Sequence, residues 1–374
     1  MISLRKLLIL SSAIPLAACG ADDVASPGEG VLVPAPTPSP SPSPSPSPTP
    51  TPGQPAASCP VNTTDRGVLG SRRNCEISGT ITGQRLIQNL PGVVYSLAGR
   101  VQVGTDCGAD PAAPIAGCAQ GQLTIDPGVV IFASGGLDFL IVNRGSQIFA
   151  EGTQNSPIVF TSRQNIEGTA TDNSIGQFGG LVLLGRAPIQ SCNQSNVPGG
   201  SVNCQSQVEG TTGLYGGATA NDNSGRLPFV QVRYPGFEVS TGNELDGITL
   251  AGVGSATTIE RIQVHNSSDD GIEWFGGTVN ARYLVVTGAD DDSLDTDFGY
   301  KGANQFVIVV QRTGGGDRVF ELDTSGNGIN TPRSFPKFAN LTAVSRRTPD
   351  LLLARGGTDL ALVNSVITGS PIPG

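Results

Sequence analysis

The sequence is poor in the residues on which many enzyme and metal sites depend. Charged residues make up 14% of the 374 residues, and the chain has one histidine, one methionine and one tryptophan. No Cys-x-x-Cys pair occurs, and the lone His265 cannot complete a cysteine–histidine site, so we expect no zinc. A Gly-x-Ser-x-Gly elbow and a P-loop are also missing, which argues against the chemistry that those motifs support.

Glycine and proline are abundant, with 51 and 28 residues. With prominent Val, Ile, Thr, Asn and Asp and no long helical pattern, this composition favours short strands joined by turns. The net charge is −9, and removal of residues 1–18 would make it more negative. That balance argues against nucleic acid and anionic lipid head groups as partners, and it permits divalent cations.

The first residues, MISLRKLLILSSAIPLAACG, are typical of a bacterial export signal. Their apolar run is much shorter than the roughly 20 residues of a spanning helix. The segment Leu16-Ala17-Ala18-Cys19 resembles the bacterial lipobox, which implies cleavage after residue 18 and acylation of Cys19. Ordinary Ala-x-Ala cleavage is the alternative. By the sorting rules for Gram-negative lipoproteins, Asp directly after the acylated cysteine favours retention in the inner membrane. This chain has Gly20 at that position, which favours the outer membrane.

Residues 34–55 read PAPTPSPSPSPSPSPTPTPGQP, which has no apolar set to bury. Polyproline II geometry at about 3.1 Å per residue would extend this segment over roughly 70 Å. We interpret residues 19–58 as a disordered linker that holds the body away from a membrane. A ligand for a proline-binding domain is the alternative.

Six cysteines remain beside Cys19, an even number that suits an oxidising compartment. They fall in close pairs, each of which would close a short loop. The predicted disulfides are Cys59–Cys75, Cys107–Cys118 and Cys192–Cys204.

Internal repeats in the sequence indicate the fold. Asp269-Asp270-Gly271-Ile272-Glu273 matches Asp291-Asp292-Ser293-Leu294-Asp295 at an offset of 22 residues, and Asp246-Gly247-Ile248 precedes the first match by 24. Strand-like runs before these turns place Val264, Val286 and Val309 at the same spacing. Such repeats are typical of parallel β-helix coils, which bury inward residues by stacking on neighbours. Leucine-rich repeats are disfavoured because their leucine and asparagine framework is absent.

Closely spaced strands are also expected earlier, within residues 123–131, 140–142, 147–149, 157–160 and 179–185. The long segment from Ala187 to Gly225 is then predicted to project outward as an insertion held by Cys192 and Cys204.

The segments TIDPGVVIFA, GLVLLGRAPI and NELDGITLAGVGSATTIERIQVHNSSDDGIEWFGGTVNARYLVVTGADDDSLDTDFG resemble a family of bacterial outer-membrane lipoproteins with right-handed parallel β-helices and no established function. The resemblance covers residues 120–374. It implies that residues 59–374 form one all-β, right-handed parallel β-helix, with the C-terminus truncated before a cap.

The acidic turns are the candidate metal site. Carboxylates on adjacent coils would lie about 4.8 Å apart and repel one another, unless protons or a cation intervene. Calcium, which takes six to eight oxygen ligands, is the natural candidate. The predicted ligands are Asp269, Asp270, Glu273, Asp291, Asp292 and Asp295, with Asp246, Asp290 and Asp297 nearby. The alternative is that Asp simply suits β-helix turns.

An enzymatic interpretation is also open. Paired carboxylates could serve an inverting glycoside hydrolase, as in polygalacturonases, but their Gly-His-Gly and Arg-x-Lys segments are missing. A calcium-dependent polysaccharide lyase would need a base, for which Arg261, Arg282 and Lys301 are candidates without a distinguishing feature. The catalytic residues therefore stay unknown.

Trp274 and Phe275 adjoin the acidic turn and could stack on a sugar ring. Because side chains alternate along a strand, one of the two rings would point outward if the other lies in the core. His265 is interpreted as a turn residue without a catalytic role. The sequence thus favours a lipid-anchored structural or glycan-binding protein of the cell envelope over a carbohydrate-active enzyme.

Overall fold

The computed structural model describes residues 53–324, 331–346 and 351–369. They form one short helix, α1 (Arg163–Ile166), and 26 strands. The strands are β1 (Thr64–Leu69), β2 (Arg72–Ile81), β3 (Gly83–Ile87), β4 (Val93–Val103), β5 (Gly121–Ile125), β6 (Val130–Ala133), β7 (Phe139–Val142), β8 (Gln147–Ala150), β9 (Ile158–Ser162), β10 (Leu181–Leu184), β11 (Ser206–Gln207), β12 (Leu214–Tyr215), β13 (Gly225–Arg233), β14 (Glu238–Ser240), β15 (Asn243–Glu244), β16 (Ile248–Ala251), β17 (Thr258–His265), β18 (Ile272–Phe275), β19 (Asn280–Thr287), β20 (Leu294–Asp297), β21 (Ala303–Val310), β22 (Phe320–Leu322), β23 (Lys337–Ser345), β24 (Leu352–Ala354), β25 (Ala361–Val363) and β26 (Val366–Gly369).

Parallel pairings between successive coils build three faces. Face 1 contains β7, β10, β16, β18, β20, β22 and β24. Face 2 contains β3, β5, β8, the first halves of β13, β17, β19, β21 and β23, and β25. Face 3 contains β6, β9, the second halves of those long strands, and β26.

The chain runs from face 1 to face 2 to face 3 and then begins the next coil. β2 and β4 extend from face 3 onto face 1 at the N-terminal end, where β1 adds the antiparallel pairing with β2. The predicted all-β, right-handed parallel β-helix is confirmed.

The register confirms the repeat seen in the sequence. Ile248 pairs with Ile272, which pairs with Leu294, and Val264, Val286 and Val309 lie in one row on face 3. Side chains alternate along each strand, so these rows point inward and form a continuous buried core. The apolar residues that match at coil spacing are therefore the residues that hold the coils together.

From β13 onward, the corner between faces 2 and 3 is a single residue in the left-handed conformation, whereas the earlier coils have longer corners, residues 126–129 and 151–157. The φ angle of the single residue lies between 48° and 59° in six successive coils. The corner residues are Phe229, Arg261, Tyr283, Phe306, Asn340 and Asn364. Because this corner has the same length in these six coils, faces 2 and 3 keep their register along this part of the helix.

Residues 187–225 do not project outward, and that prediction is wrong. Ile189, Val208 and Tyr215 of this insertion are buried against outward residues of face 1, among them Leu184 and Phe275. Apolar outward side chains on this part of face 1 would otherwise face water, so the insertion covers them. All three predicted disulfides are present.

The predicted export signal, the predicted acylation site Cys19 and most of the predicted linker lie outside the described residues. Within the described part before Cys59, Ala56 is buried and its N–H donates to the Gly92 carbonyl at 3.0 Å. In the part of the chain that the structure describes, no helix is long and apolar enough to cross a membrane.

Candidate functional site

Acidic residues gather where face 3 turns into face 1. Asp246, Asp270 and Asp292 each stand two residues before a face 1 strand, at equivalent positions of three successive coils. Asp269 and Asp291 form a second row one residue earlier, and Asp317 continues it in the next coil. Equivalent residues of adjacent coils lie about 4.8 Å apart, so the predicted stacking of the acidic turns is confirmed.

A third row lies on the outward side of face 1 itself. Glu273 pairs with Asp295, which pairs with Glu321. Asp297 follows two residues after Asp295 and points to the same side. We refer to Asp246, Asp269, Asp270, Glu273, Asp291, Asp292, Asp295 and Asp297 as the carboxylate cluster.

Glycine allows the turns to stack so closely. A Cβ on Gly271 would lie 2.4 Å from Val286 Cγ1 and 2.6 Å from the Ser293 carbonyl oxygen. The Gly271 N–H donates to the Asp292 carbonyl at 2.9 Å, and Gly247 makes the same bond to Asp270. The Asp-Gly sequence therefore joins each acidic turn to the turn of the next coil.

Hydrogen bonds hold the central carboxylates in place. Asp246 accepts from the Thr249 hydroxyl at 2.6 Å, and Asp270 accepts from the Asp292 N–H at 2.9 Å. Asp292 in turn accepts from the Arg318 N–H. Asp246 and Asp292 are each only 3% exposed. Asp295 Oδ1 is buried and has no hydrogen-bond partner among the described residues.

None of the eight cluster carboxylates forms an ion pair with a basic residue of the described chain. The two nearest guanidinium groups are engaged at its border, Arg318 with Asp317 and Glu321, and Arg355 with Glu321 and Asp323. Asp290, also considered from the sequence, pairs with Arg312 and stands apart from the cluster.

Burial without cationic partners raises the pKa values of the whole group. Burial, and then the charge of Asp246, raises the pKa of Asp269 to about 10. Burial and the charge of Asp291 raise the pKa of Asp292 to about 8, and burial with Asp323 raises the pKa of Asp297 to about 7.

Three further members shift in the same direction. The pKa values of Asp270, Glu273 and Asp295 lie well above their ordinary range, mainly because of burial and then because of neighbouring carboxylates. The cluster must therefore hold several protons or a cation near neutral pH.

The geometry suits a divalent cation. Three overlapping triads offer carboxylate oxygens that all lie within 4.8 Å of one another. The triads are Asp246, Asp270 and Glu273; Asp269, Asp270 and Asp291; and Asp291, Asp292 and Asp317. An all-oxygen donor set matches calcium rather than zinc.

The Asp246 side of the cluster lies beneath protein, whereas Asp291 is exposed. Glu209 of the insertion adjoins Asp246, and burial together with that charge raises the pKa of Glu209 to about 7. The Glu244 N–H donates to Glu209 at 3.3 Å, and the Gly210 N–H donates to the Asn243 side chain at 3.0 Å. The insertion and the segment before β16 therefore close over the Asp246 side of the cluster.

Trp274 and Phe275 do not form an accessible stacking platform, so that prediction is wrong. Trp274 is 0% exposed and points into the core, where its ring stacks on Tyr300 at 5.4 Å. Phe275 points outward as alternation requires, but it is 4% exposed because the insertion covers it, with Tyr215 against its ring.

The candidate bases do not join the cluster. Arg261 occupies the corner between faces 2 and 3, and Arg282 lies on face 2, where it pairs with Glu260 at 2.6 Å. Lys301 lies beyond β20, at the opposite end of face 1 from the acidic turns. His265 lies on the outer side of face 3, with Nδ1 2.8 Å from the Thr287 hydroxyl.

Sequence reasoning missed Glu209, Glu321 and Asp317. Glu321 follows Asp295 by 26 residues rather than 22, because residues 311–319 lengthen that coil. Glu209 lies in the insertion, where no repeat signal exists.

Comparison with known proteins supports the fold. The model of the pectate-lyase-like β-helix domain matches residues 113–372, which is more than half of the chain. No curated protein and no solved structure matches. Because this family model matches more than half of the chain and the strands form three parallel faces, the chain belongs to the pectate-lyase-like β-helix domain family.

Proposed function

We propose that this protein is a lipid-anchored, glycan-binding protein of the cell envelope whose β-helix holds calcium in the carboxylate cluster and does not cleave its ligand. The observation that carries the proposal is a cluster of eight carboxylates, none of which is ion-paired with a basic residue of the described chain. Asp246, Asp270, Glu273 and Asp292 of this cluster are buried, and Glu209 of the insertion lies against Asp246.

A cation in this cluster would stabilise the fold. Carboxylates this close repel in a medium of low dielectric constant, and a divalent ion replaces several protons at once. It would join two successive coils to the insertion, because Asp246 and Asp270 belong to one triad and Glu209 lies against Asp246. Calcium would therefore lock the cover onto face 1.

Burial argues against catalysis at this place. A polysaccharide must reach the acid and the base at the same time, and the central carboxylates are covered. The basic side chains considered for a lyase lie at other corners or on face 2. Glycan binding is supported by the family, since a pectate-lyase-like β-helix suits a carbohydrate-binding or carbohydrate-active role, and by the long flat faces that stacked coils provide.

Anchoring rests on the sequence. Acylation of Cys19 would attach the chain to a membrane, most consistently the outer membrane given Gly20, and the proline-rich segment would space the body from it.

Calcium titration by calorimetry tests the cation site. The full chain should bind calcium saturably, and Asp270→Asn/Asp292→Asn should abolish binding. The control is Asp65→Asn/Asp359→Asn, which changes the net charge equally at two exposed, arginine-paired positions. Absence of binding at millimolar calcium would refute the cation site, and release of unsaturated uronates from a polysaccharide would refute the non-catalytic assignment.

A further inference from the structure

The outside of face 3 is free of negative charge over a long stretch. No carboxylate stands in the corner row or in the outward rows of this face from β13 to β26, all of which the structure describes. The first outward row is Gln231, Gln263, Val285, Ile308, Thr342 and Val366. The chain as a whole has 31 acidic residues and a net charge of −9, so this face differs from the rest of its surface.

The middle of this face is apolar and exposed. Val285 and Ile308 lie side by side on β19 and β21, and Ile308 is 49% exposed. Tyr283 and Phe306, the corner residues of the same two coils, are 39% and 40% exposed. Their rings stack at 4.9 Å with 10° between the planes. We refer to these four residues as the apolar patch.

The surroundings of the apolar patch are polar and nearly neutral. Gln231 and Gln263 precede it in the first outward row. Arg261 and Arg282, which lie beside the Tyr283 ring, are both paired with Glu260, at 3.1 and 2.6 Å. An apolar centre with a polar rim and few free charges is the usual composition of a protein–protein interface.

The backbone indicates that the two rings are kept for what they display. The φ angle is 58° at Tyr283 and 59° at Phe306, a conformation that Asn adopts at lower cost than large side chains. The next two coils have Asn340 and Asn364 at this corner. Folding alone would favour asparagine in all four coils, so the exposed rings indicate a contact beyond this chain.

We propose that this face binds a second copy of the same chain, with the apolar patch at the centre of a two-fold dimer. Two copies with a net charge of −9 repel each other over most of their surfaces. On face 3 they can approach without bringing carboxylates together. A two-fold interface uses the same surface on both copies, and two sheets pack face to face at about 10 Å.

The available area is sufficient for a specific contact. Six coils at about 4.8 Å, with about six residues per coil at about 3.3 Å, give a surface of roughly 29 by 20 Å. Two copies would bury roughly 1,200 Å², the lower end of the range for specific protein interfaces. We therefore expect a reversible dimer with a dissociation constant in the micromolar range. It requires no glycan and is independent of the proposed function.

Sedimentation velocity of the full-length chain tests the proposal, with Cys19→Ser so that acyl chains cannot drive association. The chain should pass from monomer to dimer between low and high micromolar concentration. Ile308→Glu should weaken the dimer at least tenfold, because each copy would bring an unpaired charge into the contact. The matched control is Leu86→Glu, since Leu86 is an outward aliphatic residue of face 2 and is 50% exposed. This control should dimerise as the unchanged chain does.

Tyr283→Asn/Phe306→Asn separates the contact from the fold. Asparagine occupies the same corner in the next two coils, so this variant should keep the circular dichroism spectrum of the unchanged chain. It should nevertheless sediment as a monomer at concentrations at which the unchanged chain is dimeric, because the centre of the contact is lost.

The outcomes decide whether a second copy occupies this face. A monomer at every concentration would overturn the proposal, as would a dimer that Ile308→Glu leaves intact or that Leu86→Glu dissociates equally. A lipid surface is the other candidate occupant. A monomer that binds phosphatidylethanolamine vesicles, with binding lost in Ile308→Glu, would assign the face to a membrane and refute the second copy.

Discussion

Replacing Asp292 by Asn should stabilise the calcium-free chain at neutral pH and weaken its response to calcium. Asp292 is buried, and its pKa is raised to about 8 by burial and by the charge of Asp291. In the unfolded chain an aspartate titrates near pH 4. Between these two values the folded state binds more protons than the unfolded state, so the free energy of unfolding falls as pH rises.

The magnitude follows from the separation of the two pKa values. Each pH unit between about 4 and 7 costs about 1.4 kcal/mol, which gives about 4 kcal/mol at pH 7 as an upper value for this group. Asparagine keeps an oxygen that can accept the Arg318 N–H but carries no ionisable proton. Since the charges of the cluster interact, we expect Asp292→Asn to gain about 2–4 kcal/mol without calcium.

Urea unfolding at pH 5 and pH 8, with EDTA or with calcium, measures this effect. The unchanged chain in EDTA should be less stable at pH 8 than at pH 5, and calcium at a hundred times its dissociation constant should restore about 2.7 kcal/mol at pH 8. Asp292→Asn should make both dependences shallower, since the other cluster carboxylates still titrate, whereas the exposed control Asp359→Asn should leave them unchanged. A variant less stable than the unchanged chain in EDTA at pH 8, with an intact calcium response, would refute the reasoning.

Three further predictions concern the core and the cover. The fluorescence of the single tryptophan, Trp274, should peak at short wavelength and resist acrylamide quenching, because its ring is buried. Added glycans should leave this emission unchanged, and a red-shifted, quenchable emission would contradict the burial. Cys192→Ser with Cys204→Ser should cost about 3 kcal/mol and open residues 187–225 to proteases before global unfolding, and equal protease resistance would contradict a clamping role. Gly271→Ala should lower the melting temperature by several degrees because its Cβ meets Val286 and Ser293, whereas Gly314→Ala, with open space around it, should not.

The repeated turns made most of the fold predictable. Asp270 and Asp292 lie 22 residues apart, and the valines on face 3 lie 22 and 23 residues apart. This spacing follows directly from coil length, so the sequence pattern carries the register. The disulfides were predictable because each closes a short loop. Local spacing determines both features, and local spacing is visible in a sequence.

Contacts between distant segments were not predictable. The outward position of Phe275 follows from alternation, but its burial depends on Tyr215, 60 positions earlier. The insertion lacks a repeat, and its apolar side chains give no sign of which face they cover. The corner residues were likewise missed, because an arginine or tyrosine at positive φ has no distinguishing sequence signal.

The one-residue corner between faces 2 and 3 also determines where the coils from β13 onward can change in length. An extra residue there would shift the following strand by one position and turn its buried row outward. The corner between faces 1 and 2 already accommodates segments as different as residues 185–224, before β13, and residues 276–279, before β19. In these coils, new loops, whether acquired in evolution or grafted by design, should therefore be tolerated at the corner between faces 1 and 2 and rejected at the one-residue corner.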